Sequence, residues 1–185
     1  MKVPFIGAKK FTVGRKGKKV RLIVIHTMET PESTGRAKQV ARWFAGPTSP
    51  EASAHYCVDD RDVVLTVKET DTAWAVGQYD INQQSISIEL AGKASQTSLQ
   101  WKDKYSSDML YNAAKLVAEL CNKYNIPVKK LPPSSVKMGS GIIGHVDVTT
   151  AYGIKGGHTD PGKNFPWTDF IKMVESELAK TKGQK

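Results

Sequence analysis

The chain has 185 residues, 39% hydrophobic and 24% charged, which is the usage of an ordinary globular domain. That length fits one domain with a sizeable core, and no apolar run approaches the roughly 20 residues of a membrane helix. Lys and Arg exceed Asp and Glu by 27 to 18, a net charge of +9 that suits an anionic partner or serves solubility alone.

Residues 1–19 read as a basic N-terminal extension. Lys9, Lys10, Arg15, Lys16, Lys18 and Lys19 cluster there without the interleaved aromatics of a single-stranded nucleic-acid platform. The first ten residues have no long apolar core, so no secretory signal is expected. Residues 21–27 follow as a buried strand, because Leu22, Ile23, Val24 and Ile25 leave no polar face. Alternation puts Leu22, Val24 and His26 on one side, with His26 at the strand end where loops meet.

A helix is predicted over 35–45, with Val40, Trp43 and Phe44 at helical spacing and turned to packing rather than substrate; Gly46-Pro47 stops it. Ala54–Asp59 and Val63–Val67 then flank Asp60-Arg61-Asp62, a tight turn between two strands. Residues 84–90 alternate cleanly: Ile86, Ile88 and Leu90 face one side, and Ser85, Ser87 and Glu89 the other. The clearest helix is 107–124, where Leu110, Ala113, Ala114, Val117, Leu120, Cys121 and Tyr124 form one apolar stripe. Asn125 and Pro127 end it. A Pro- and Gly-rich loop over Leu131–Gly141 leads through Ile142-Ile143 to His145, which falls in a loop after Gly144. The last helix covers 167–180 with Phe170, Ile171, Val174 and Leu178 inward, and a frayed Lys-rich tail follows at 181–185.

With no internal repeat and no linker, the whole of 1–185 reads as a single domain. Its class is α/β: a mixed central sheet of about five or six strands covered by about three helices. Cys57 in a strand and Cys121 in a helix read as buried thiols rather than a disulfide framework.

Singly, His26, His145 and Asp160 each have an ordinary explanation as a structural imidazole or a turn starter. Jointly they lie where a strand or loop ends, so all three can meet at one rim. A hydrolytic zinc typically takes three protein ligands and leaves a fourth position to water. Their long spacing is unlike a short zinc-finger code.

The chain resembles the zinc-dependent N-acetylmuramoyl-L-alanine amidases of the type 2 family, which includes phage endolysins and is related to peptidoglycan recognition proteins. Six blocks carry the resemblance in the family's order: Leu22-Ile23-Val24-Ile25-His26-Thr27, Ser53-Ala54-His55-Tyr56-Cys57-Val58-Asp59, Thr72-Ala73-Trp74, Ser85-Ile86-Ser87-Ile88-Glu89-Leu90, Gly144-His145-Val146-Asp147, and His158-Thr159-Asp160-Pro161-Gly162 with Phe165 and Trp167. It implies the amidase-like fold of those proteins, Zn2+ on His26, His145 and Asp160, Glu89 as the acid/base group, and His158 as the residue that stabilises a developing oxyanion. The implied reaction is hydrolysis of the amide between the lactyl group of N-acetylmuramic acid and L-alanine. The implied setting is a phage endolysin, made in the host cytoplasm and acting on the wall after release. Peptidoglycan is the expected partner, with no nucleic acid, no membrane insertion and a monomeric state.

Other residues stay open. Trp74 either lines the substrate groove or belongs to the core. Asp147 either orients a ligand or caps a turn, and His55, mid-strand, reads as scaffold. Ala54 stands where some members carry a catalytic Tyr, and Ala75 where many carry His. The Thr149–Gly157 loop is longer than in compact relatives. A noncatalytic peptidoglycan-binding module of the same fold is the main rival. A basic nucleic-acid binder leaves the His–His–Asp set unexplained.

Overall fold

The structure, a computed structural model, describes residues 3–182. Its strands are β1 (Phe11–Thr12), β2 (Leu22–Thr27), β3 (Tyr56–Val58), β4 (Val63–Leu65), β5 (Thr72–Ala73), β6 (Ser85–Leu90) and β7 (Gly141–Gly144). Its α-helices are α1 (Arg36–Ala45), α2 (Tyr79–Gln83), α3 (Lys104–Tyr124), α4 (His145–Ala151) and α5 (Trp167–Lys182). The main sheet has five strands in the order β4-β3-β6-β2-β7, and only the β3–β4 pair is antiparallel. Of the tail read as frayed, residues 181 and 182 finish α5, and 183–185 lie outside the described residues.

The expected α/β class holds, with two short helices added to the three long ones. The strand pair is shorter than its apolar text, because the Asp59 carboxylate closes the turn by accepting from the backbone N–H of Arg61 and Asp62 at 2.9 and 2.7 Å. Helix α3 starts three residues earlier than its stripe. Asp103 caps it by accepting from the Ser106 backbone N–H at 2.8 Å, a bond typically worth about 1 kcal/mol. Asn125, in the left-handed region at φ 53°, ends it.

The strand alternation fixes two different faces. On one, Ile23, Ile25, Ile86, Ile88, Leu90 and Ile142 pack against α3 and α5 in the largest core cluster. On the other, Leu22, Val24 and Ile143 join a smaller cluster near α2 and α4, while Cys57 and Val64 pack under α1. Both cysteines are buried and free. The parallel register of β2 and β6 pairs His26 with Glu89, so both side chains leave the second face at the C-terminal ends of their strands. Crevices at such strand ends are the usual ligand sites of α/β sheets.

The stretch read as a basic extension contributes to this frame. Phe11–Thr12 pairs antiparallel with Thr72–Ala73. Arg15 is 8% exposed and donates to the backbone carbonyls of Glu69, Gln83 and Ser85 at 2.7, 2.9 and 3.0 Å.

Candidate metal centre

Three elements deliver three buried side chains to one point. His26 ends β2, His145 opens α4 and Asp160 sits in the segment that follows α4; all three are at most 5% exposed. His145 is thus the first residue of a helix and not part of a loop. The reason is Asp147, whose Oδ2 accepts from the Gly144 backbone N–H at 2.6 Å and closes the first turn. The Val146 N–H donates to the Asp160 carbonyl at 2.9 Å, which joins the segments that carry His145 and Asp160 directly.

The His26 Nδ1 lies 3.2 Å from Asp160 Oδ2, and the His145 Nδ1 lies 3.4 Å from Asp160 Oδ1. One candidate donor atom from each residue falls within 4.8 Å of the others, so the set is positioned to hold a metal ion. For ligand bonds of about 2.0–2.1 Å, the edge of a tetrahedron is roughly 3.3–3.4 Å, and the two observed N···O spacings fit it. Burial alone would raise the Asp160 carboxyl, but the facing imidazoles of His145 and His26 prevail and hold it well below the usual carboxylate range. Burial lowers the His145 imidazole, opposed in part by Asp160. Both shifts favour the ligand forms, an anionic carboxylate and a neutral ring. The donor set therefore suits a divalent cation.

Two further groups surround the cluster. Glu89 projects from β6 into the same cavity, and its carboxyl is pushed well above the usual range by burial first, then by Asp160 and Glu29. A carboxyl raised in this way holds a proton more readily than an exposed one, which suits acid/base chemistry. His158 stands at the rim with its side chain 70% exposed. Its ring stacks on His145 at 4.1 Å and its Nδ1 lies 3.4 Å from Asp160 Oδ1.

The cleft has two lobes. One, of about 270 Å³, holds the cluster and is walled by Met28, Glu29, Val40, Trp43 and Phe44. The second, of about 440 Å³, runs past Gln78, Asn82, Thr149 and Gly157, and the two share Ala52, Trp74, Ala75, His145 and His158. Trp74 thus lines both lobes, anchored by its indole N–H donating to Thr12 Oγ1 at 2.9 Å. Trp43 corrects the expectation of simple helix packing: it is 51% exposed and forms cavity wall, while Phe44 behind it is buried. Helical spacing marked both as apolar, but only the fold shows that both reach the cleft, Trp43 half exposed and Phe44 buried in its wall. Glu29 carried no signal in the sequence. Its backbone is left-handed at φ 52°, and its Oε1 accepts from Thr27 Oγ1 and the Ala94 N–H at 2.6 and 2.8 Å. His55 stays out of the cleft as scaffold. It is wholly buried, with Nδ1 accepting from the Ser87 backbone N–H at 3.1 Å.

This sheet and the strand-end cluster define an α/β protein with an amidase-like fold. The structure is similar to that of the Staphylococcus aureus hydrolase AmiA in complex with its ligand, with a TM-score of 0.74 over 99% of this chain and 86% of that one, at 17% identity. It is also similar to a mutant endolysin from Bacillus subtilis, with a TM-score of 0.63 over 94% and 99% at 17% identity. The sequence profile of the N-acetylmuramoyl-L-alanine amidase family matches residues 16–163, and the chain belongs to that family. N-acetylmuramoyl-L-alanine amidase A of Achromobacter lyticus is 26% identical over 166 residues, which cover 82% of this chain and 81% of that protein.

Proposed function

We propose that this protein is a zinc-dependent N-acetylmuramoyl-L-alanine amidase that cuts the bond between the lactyl group of N-acetylmuramic acid and the L-alanine of the stem peptide. The observation that carries the reading is the convergence of His26, His145 and Asp160 beside the raised Glu89 carboxyl in one cleft. Family membership supplies the substrate class. Zinc bound there supplies Lewis acidity toward a carbonyl oxygen and an acidified water. Glu89 takes the proton from the attacking water and passes it to the leaving nitrogen of L-alanine. His158, at the rim, donates to the carbonyl oxygen as charge develops on it, an interaction typically worth about 2.7–4 kcal/mol in rate. Trp74 forms the wall along which the substrate lies in both lobes. A phage endolysin setting is the finer reading, supported by the likeness to the Bacillus subtilis endolysin and by a net charge of +9 that suits an anionic wall.

The test is digestion of purified cell walls. The expected result is release of L-alanine amino groups without new reducing sugars, abolished by a chelator and restored by zinc. Tight wall binding with no amine release would instead leave the noncatalytic binding module standing.

A further inference from the structure

Behind the cluster, one ion pair ties together the segments that carry its ligands. Lys130 Nζ donates to Asp147 Oδ2 and to the Leu131 carbonyl, each at 2.7 Å, and lies 4.8 Å from the centre of the Trp167 ring. The pair is withdrawn from solvent, with side chains 26% and 8% exposed. The same Asp147 oxygen holds the Gly144 N–H and so fixes the residue before His145. Gly144 in turn abuts the Asp160 segment: a Cβ there would come within 2.6 Å of Pro161 Cδ and 3.3 Å of Trp167 Cζ2. Lys130 is itself anchored at the sheet edge by its bridge to Ile142, two residues before Gly144. The ammonium therefore stands where the β7–α4 junction, the sheet edge and the start of α5 meet.

We propose that Lys130 is a positioning residue for the metal centre: through Asp147 it sets the first turn of α4, and with it the direction from which His145 presents Nδ1 to Asp160. Removing the cation leaves a buried carboxylate with the Gly144 N–H as its remaining partner, free to turn and carry the helix start with it. Groups that orient a ligand from behind typically govern metal affinity by about 10–100-fold. The inference rests on the metal reading above, and its readout is metal affinity rather than turnover.

The experiment uses the full chain stripped of metal and titrated with zinc against a chromophoric chelator, with cobalt substitution as a geometric probe. Wild type is expected to bind one ion. Lys130→Met is expected to bind zinc about 10–100-fold more weakly and to shift the visible cobalt bands. Its metal-free form should keep the wild-type fold and lose less stability than metal-binding free energy, because the methionine retains the lysine stem and Asp147 keeps the Gly144 N–H. Lys130→Arg, which keeps a cation over Trp167, is expected to recover most of the affinity. Unchanged zinc affinity and cobalt bands in Lys130→Met would overturn the proposal. So would a loss of affinity matched by an equal loss of metal-free stability, since that assigns Lys130 to the fold alone. A wild-type chain that binds neither ion refutes the metal reading itself, which is a different result.

Discussion

The two faces of the central sheet obey different rules. The face under α3 and α5 is built from Ile23, Ile25, Ile86, Ile88, Leu90 and Ile142, whose work is to exclude water. The cleft face carries His26, His55, Ser85, Ser87 and Glu89 on the same strands or beside them. Several of its buried polar atoms, among them His26 Nε2, Ser85 Oγ and Ser87 Oγ, lack a hydrogen-bond partner among the described residues. One sheet thus concentrates its stability on one side and its chemistry on the other. Stability and function should then be separable by substitution.

The sharpest separation comes from the ligands. Asp160→Ala, His26→Ala or His145→Ala should each lose the metal and drop amide hydrolysis to background, while the metal-free fold persists. Elemental analysis with amine release on purified walls checks this, and a variant with full metal content would break the division. Glu89→Gln is next. It should retain the metal yet lose about 10²–10⁴-fold in turnover, the range of one general acid/base group. Full turnover in that variant would remove Glu89 from the reaction.

The other face should respond in the opposite sense. Met109 on α3 is fully buried in the large cluster. Met109→Ala should cost about 2–5 kcal/mol of stability by denaturant unfolding and leave metal affinity untouched. A change in zinc affinity there would show the two faces to be coupled.

Acid offers a fourth contrast. Burial, reinforced by Arg15, holds the His55 imidazole down to about 3 from an ordinary 6.5. The unfolded chain binds that proton near 6.5 and the folded chain does not. Stability is therefore lost as pH falls from 6.5 towards 3, at up to about 1.4 kcal/mol per unit from this group. His55→Gln should flatten that slope relative to wild type in urea unfolding at pH 7 and pH 5. Equal slopes would mean that the ring titrates normally.

How legible this was in the sequence differs by face. The apolar face followed from alternation alone, because a period of two in Ile86, Ile88 and Leu90 reports burial directly. The helical stripe of α3 did likewise. The position of Glu89 on the opposite side came from the same rule. The grouping of His26, His145 and Asp160 did not, since their separations carry no period; the ordered motifs of the family supplied it. The start of α4 at His145 was hidden because a helix of seven residues shows barely two turns of pattern. Lys130 and Glu29 were silent for a simpler reason. Each acts through a partner more than ten residues away, Asp147 or Ala94, and no local signal encodes such a contact.

The smallest effect probes strand β6 on the face that carries Glu89. Ser87 is 1% exposed and its hydroxyl has no hydrogen-bond partner among the described residues. A buried hydroxyl left unpaired typically costs about 1–3 kcal/mol. Ser87→Ala should therefore be neutral or stabilising by up to about 1 kcal/mol in urea unfolding, against the usual destabilisation for truncating a core side chain. The backbone N–H of Ser87, which donates to His55, is unaffected by the change. A loss greater than about 1 kcal/mol would point to a buried water on that hydroxyl. The cleft face would then be hydrated down to the sheet itself, and the contrast with the α3–α5 side would be one of wet against dry.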